Sequence, residues 1–158
     1  MNIMLRLLTA CLALAASLAF AADPLVITRG TDRAIPIAVV PFGLSGETAL
    51  PEDPARIVAR DLHNSGLFSP VAREHMISMP SRADEIIYRD WRAVGALYLL
   101  IGDMQAQAGS QVQIRYQLFN VTSEQLVHSG TVSGTTQQLR DLAHHIADQT
   151  HEKVTGIK

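Results

Sequence analysis

From Ile35 to Phe42 the chain reads Ile-Pro-Ile-Ala-Val-Val-Pro-Phe, an almost unbroken apolar run rich in β-branched residues. So short and continuous a run predicts a central strand buried on both faces, because a half-exposed strand would alternate. Residues 43–50 read as a loop. Ala55, Val58, Ala59 and Leu62 then recur at helical spacing, with Asp53 placed as N-cap and Pro54 at the first helical position. Asn64-Ser65-Gly66 closes this helix, and Leu67 and Phe68 follow where a Schellman-type cap puts its apolar contact. Residues 83–94 carry a weaker helical pattern in two short pieces that stop at Gly95.

The second half of the chain changes period. Residues 96–102 form another continuous apolar run, a second buried strand. Residues 111–119 alternate: Val112, Ile114, Tyr116 and Leu118 fall on one side, and Gln111, Gln113, Arg115 and Gln117 on the other, as in a half-buried antiparallel strand. Ala108-Gly109-Ser110 before it and Thr122-Ser123-Glu124 after it are turns, so residues 96–102, 111–119 and 125–133 are expected to form a meander. The last element is a long helix with Leu139, Leu142, Ala143, Ile146, Ala147, Thr150 and Val154 on one face. Thr135 with Gln138 supplies a capping box and Gly156 the terminal glycine. The fold class is therefore α+β, a mixed sheet with a three-stranded antiparallel meander covered by helices.

The first residues belong to a different class of segment. Arg6 is followed by an uncharged run to Leu18 and then by Ala19-Phe20-Ala21, the pattern of a signal peptide over residues 1–21. Cleavage is expected after Ala21, with Ala22 as the neighbouring alternative. Leu8-Thr9-Ala10-Cys11 matches a lipoprotein box, but the stretch before Cys11 is too short for an apolar core, and an equally apolar stretch follows it. The run ends at Asp23-Pro24 without a basic flank, so no stable membrane insertion is expected after cleavage. Removing the leader also removes the only cysteine, which leaves no disulfide or thiol chemistry. All 15 acidic residues and all but one of the 13 basic ones lie beyond residue 21. The remainder is mildly acidic, and with no basic run it has no footprint for nucleic acid.

Candidate chemistry is thin. His144, His145, His151 and Asp148 share the last helix, and spacing places His144, Asp148 and His151 on one side of it. That spacing fits no zinc motif, so they read as polar decoration of the solvent face, and no metal or cofactor is expected. Gly43-Leu44-Ser45-Gly46 lacks the nucleophile-elbow spacing. Asp61 with His63, and Asp84 with Glu85, are too close in sequence to converge from a helix and read as exposed charge. Asn120-Val121-Thr122 is a glycosylation sequon to which no role is assigned. Trp91 beside Val94 reads as a core plug rather than a partner anchor. No nucleophile–base or metal constellation survives, so no enzyme is expected.

Several blocks in register carry a family resemblance: residues 36–42, Asp61-Leu62-His63-Asn64-Ser65-Gly66-Leu67-Phe68, Trp91-Arg92-Ala93-Val94-Gly95, Tyr116-Gln117-Leu118, and the ending Glu152-Lys153-Val154-Thr155-Gly156-Ile157-Lys158. Together they resemble the amino-terminal domain of the TolB family of the Tol-Pal envelope system. The resemblance implies a non-catalytic periplasmic interaction protein, with residues 22–34 as a mobile partner-binding segment and 35–158 as the α+β domain. It also implies that Ala22, Asp23, Pro24, Leu25, Val26, Ile27, Thr28, Arg29 and Gly30 contact the periplasmic carboxy-terminal domain of TolA. Leu25-Val26-Ile27 is the apolar centre, suited to adding a strand to a partner's sheet. Pro24 cannot donate a ladder hydrogen bond, so pairing would start at Leu25. Binding of the lipoprotein Pal belongs to a β-propeller that would begin where this sequence stops. The link from TolA to the outer membrane would serve invagination at cell division and envelope integrity. The alternative is a periplasmic small-ligand or peptidoglycan-binding module, which a concave pocket lined by Trp91 or Tyr98 would favour.

Overall fold

The computed structural model describes residues 33–46 and 50–158. Its elements run β1 (Ile35–Val39), β2 (Gly43–Ser45), α1 (Pro54–Asn64), β3 (Phe68–Pro70), α2 (Tyr88–Ala93), β4 (Tyr98–Ala106), β5 (Gln111–Asn120), β6 (Gln125–Thr135) and α3 (Leu139–Thr155). Two short 3-10 turns, Arg73–His75 and Ala83–Glu85, punctuate the stretch between β3 and α2, a third, Ala108–Ser110, joins β4 to β5, and a fourth, Thr136–Gln138, leads into α3.

The strands form one mixed sheet in the order β3-β1-β4-β5-β6. β1 is parallel to both β3 and β4, while β4, β5 and β6 form the expected antiparallel meander. β1 is the buried central strand that its apolar run predicts, and Ile37, Ala38, Val39 and Val40 are all buried.

Two short strands correct the reading of the sequence. Gly43–Ser45 is not loop: it pairs in parallel with Asp103–Gln105 of β4 and so continues the position β1 holds further back along the same strand. Pro41 lies between the two and has no N–H to offer the ladder. Phe68, expected only as a cap contact, opens β3, which pairs with Ile35–Ile37.

Both faces of the sheet bury apolar side chains. On one, α1 and α3 cover Ile37, Val39, Leu100, Met104, Val112, Ile114, Tyr116 and Leu118, with Ile57, Val58, Leu62, Leu139 and Ile146 as the helical contribution. Helix α1 is capped as predicted: Asp53 accepts from the N–H groups of Ala55 and Arg56, and Pro54 begins the helix. At the other end of the layer, α3 closes on Gly156 in the left-handed region, which glycine alone enters without strain.

The opposite face is divided. Ala38, Val40, Leu99, Ile101, Phe119 and Val121 lie under Trp91 of α2 and under the irregular strap of residues 71–87, which contributes Val71, Met76 and Ile86. Trp91 is 1% exposed, a core plug, and its indole N–H finds no acceptor among the described residues. Further along the same face the pattern turns polar, with Asp103 and Gln105 on β4 opposite Arg115 and Gln113 on β5, then Ser133, Thr131 and Ser129 on β6. The strap does not reach over β6, and this half of the sheet faces outward.

Candidate interaction surface

Residues Ala22 to Gly30, the expected partner-binding segment, lie outside the described residues, as do residues 1–21. The structure does give their point of attachment. Arg33 is exposed, and two residues later the Ile35 N–H donates to the Leu67 carbonyl at 2.7 Å. Whatever precedes Arg33 is thus joined directly to a strand held on both sides in the middle of the sheet.

The sheet ends in two different edges. β3 is three residues long and ends in Pro70, a form of edge that resists pairing. β6 has eleven residues, contains neither proline nor Lys, Arg, Asp or Glu, and borders only β5 among the described residues. Its irregularity is a register shift opposite Leu118 and Phe119, which leaves Leu126 and Val127 exposed at one end.

Two of the histidines of α3, His144 and His151, are not loose decoration, which corrects the expectation for them, while His145 and Asp148 are exposed as expected. His144 Nδ1 lies 2.5 Å from Asp61 Oδ2 and so ties α3 to α1 across 83 positions of sequence. His151 rests on the Phe68 ring with centroids 5.8 Å apart. The Asp61–His63 pair is likewise divided, Asp61 being engaged by His144 while His63 is exposed in the last turn of α1. Among the described residues no group of three His, Cys, Asp or Glu side chains could hold a metal ion. Asn120 of the sequon acts locally, since its side-chain oxygen accepts from the N–H groups of Thr122 and Ser123, both at 2.9 Å, and shapes the β5–β6 turn.

On β6, His128 faces α3 beside the Tyr116 ring, centroids 5.8 Å apart. Partial burial, and then the nearby Lys153, hold its pKa below the ordinary histidine value, against a smaller pull from Glu152. Burial raises the Tyr116 phenol.

Three of the cavities on the described surface are large enough for a small molecule. One of about 580 Å³ lies between Leu50–Glu52 and the start of α3, where Arg140 pairs with Glu52. Another, of about 370 Å³, lies beside it against Phe42, Leu44 and Met104. The third, about 510 Å³, sits on the polar half of the sheet and is bordered by Arg82, Asp103, Arg115, Gln117 and Thr131. Trp91 and Tyr98, whose presence in a pocket would favour the ligand-binding alternative, line none of these three. Sequence reading missed the third cavity because Arg115 and Asp103 meet only through strand register; the polar residues alternating along β5 were the available signal. No helix among the described residues is long and apolar enough to cross a membrane.

A mixed α+β sheet with two long helices on one face and a short helix with an irregular strap on the other is thus the class of domain in hand. The chain belongs to the TolB amino-terminal domain family, whose match covers residues 24–127. The Tol-Pal system protein TolB of Pseudomonas aeruginosa is 54% identical over 158 residues, which is 100% of this chain and 36% of that relative. This chain spans only about a third of the length of such curated relatives. TolB from Acinetobacter baumannii, known from a crystal structure, superposes with a TM-score of 0.65 at 26% identity over 79% of this chain and 29% of that one. The LpoB carboxy-terminal domain from Salmonella enterica shares the fold alone, with a TM-score of 0.50 and 16% identity over 65% of this chain and 82% of that one.

Proposed function

We propose that this chain acts in the periplasm as a non-catalytic adaptor of the Tol-Pal system. In this reading the segment from Ala22 to Gly30 adds as a strand to the periplasmic carboxy-terminal domain of TolA, with Leu25, Val26 and Ile27 as its apolar centre. The observation that carries it is the family match, which begins at residue 24 inside that segment and continues into β6. The absence of helical periodicity from Leu25 to Arg29 agrees with an extended partner strand, as does the direct join to β1. Pal binding requires the propeller of the longer relatives and is proposed only for a protein that includes it. The linkage would couple the inner membrane to the outer membrane during invagination at division and maintain envelope integrity.

Val26→Asp tests the reading. Burying a valine-sized side chain contributes roughly 1.5–3 kcal/mol, about a ten- to hundredfold change in affinity. Calorimetric titration with the TolA domain is expected to show a loss of that order while the thermal midpoint stays in place. Unchanged affinity in a folded variant would overturn the strand-addition reading. A lowered midpoint would instead make the segment part of the domain's own structure.

A further inference from the structure

The polar half of the sheet holds a cluster that the adaptor role does not use. Arg115 of β5 reaches across to Asp103 of β4, with Nη2 to Oδ2 at 2.9 Å and Nε to both carboxylate oxygens at 3.3 Å. On the strap, Arg82 is held in the same manner by Asp84, Nε at 3.1 Å and Nη2 at 2.9 Å. The strap is itself braced there, because Glu85 accepts from the Ser81 and Arg82 N–H groups. Ser81 lies so close to Gly43 that a Cβ on the glycine would come within 2.9 Å of the serine Cβ. Each guanidinium is therefore clamped along one edge by a carboxylate, and each keeps a terminal nitrogen without a protein acceptor among the described residues.

Both arginines border the same cavity of about 510 Å³, together with Gln117, Ser129 and Thr131. The Ser129 and Thr131 hydroxyls and the Gln117 amide also make no side-chain hydrogen bond of 3.5 Å or less to another described residue. The floor is thus rich in unused donors. Asp103 is the one acid in the lining, but Asp84 and Glu85 pair with Arg82 beside it, so both arginines are already offset by carboxylates, which disfavours a simple anion. An apolar ligand would strand every donor. What satisfies both constraints is a ligand with a carboxylate for the guanidinium groups and hydroxyls and an ammonium for Asp103.

We infer that this cavity is a binding site for a small zwitterionic ligand of the amino acid or short-peptide class. The carboxylate docks on the free nitrogens of Arg115 and Arg82, the ammonium is placed by Asp103, and Gln117, Ser129 and Thr131 hold the peptide amide between them. The site is open, so binding is weak and fast, with a Kd of about 1–10 mM for a ligand of dipeptide size.

Alanyl-alanine is the probe. Titrated into the 15N-labelled chain, it is expected to give saturable amide shifts at Gly102–Asp103, Arg115–Gln117 and Ser129–Thr131. The N-acetylated dipeptide, which keeps only the carboxylate, and its carboxamide, which keeps only the ammonium, should each bind less tightly. Arg115→Gln should weaken binding about tenfold with little change in unfolding midpoint, the loss expected when a hydrogen bond to a charged group is removed. Arg82→Gln, on an exposed turn outside the sheet, should do the same and decides the matter if the first variant is destabilised. No saturable shift up to about 20 mM overturns the inference. So does equal binding of the two capped probes and the free dipeptide, or undiminished affinity in both variants. Because Val26 and TolA take no part, a failure here leaves the strand-addition reading standing, and the reverse holds equally.

Discussion

Gly102→Ala probes how tightly the central strand is enclosed. Gly102 is buried in β4, and a Cβ there would lie 2.8 Å from the Arg115 carbonyl oxygen, 2.9 Å from Phe42 Cδ1 and 3.2 Å from Phe42 Cε1. One of these atoms is backbone in the adjoining strand and cannot move without disturbing the β4–β5 ladder. The ring belongs to a residue 7% exposed and wedged where the chain turns from β1 into β2. Overpacking of this kind costs about 1–3 kcal/mol. Against it stands the smaller entropy lost by alanine on folding, about 0.5–1 kcal/mol for a residue inside a strand. The centres of the two ranges leave a destabilisation of about 1 kcal/mol, and at about 3–6 °C per kcal/mol for a domain of this size the midpoint should fall by about 3–6 °C. Fluorescence of Trp91, the only tryptophan, follows the unfolding from the face of the sheet opposite Phe42 and so reports on the domain as a whole. Adding Phe42→Leu should recover part of the loss, with a coupling of about 0.5–1 kcal/mol, because only the ring contact is relieved. A midpoint equal to or above that of the parent would refute the close approach.

Asp53→Ala removes the cap of α1 and the 2.5 Å contact with Arg73; a loss of about 1 kcal/mol is expected in urea unfolding, and less for Arg73→Gln, which leaves the cap intact. His128 is held below the ordinary value of 6.5, so between that depressed pKa and 6.5 the unfolded chain binds more protons than the folded one. Its contribution to stability is thus present above about pH 6.5 and lost as the pH falls; His128→Gln should flatten that part of the stability curve, and an unchanged slope would contradict it. Intact mass of the exported protein is expected to begin at Ala22 or Asp23, whereas a product starting at a lipid-modified Cys11 would overturn the signal-peptide assignment.

What could be read from sequence was what local chemistry decides. Asp53-Pro54 and Gly156 delimit helices because a cap satisfies backbone groups within a few residues, and Val112 to Leu118 declare a strand because one side chain in two is buried. β2 and β3 escaped because three residues carry no period, and they are strands only through the partners they meet on β4 and β1. The strap of residues 71–87 follows neither period, and its burial depends on Trp91 and Phe119 beneath it. The Asp61–His144 contact joins two residues that each look solvent-facing when their own helix is read alone. The proposal of a partner segment from Ala22 to Gly30 rests on a resemblance to a family, since Leu25-Val26-Ile27 suits an edge strand and a binding strand equally.

The placement of β1 also bears on how the domain answers to tension. A tether joined ahead of Arg33 pulls on a strand gripped from both sides, through Ile35 N–H to Leu67 O against β3, and through Leu97 N–H to Pro36 O and Val40 N–H to Leu100 O against β4. A pull along the strand axis stretches these bonds together in shear, whereas the outermost strand of the meander, pulled sideways, would unzip one bond at a time. To slip, β1 must also drag Ile37 and Val39 across the layer beneath α1 and α3 while Ala38 and Val40 slide under the strap. A force directed along β1 would therefore be resisted by all of these bonds and contacts at once.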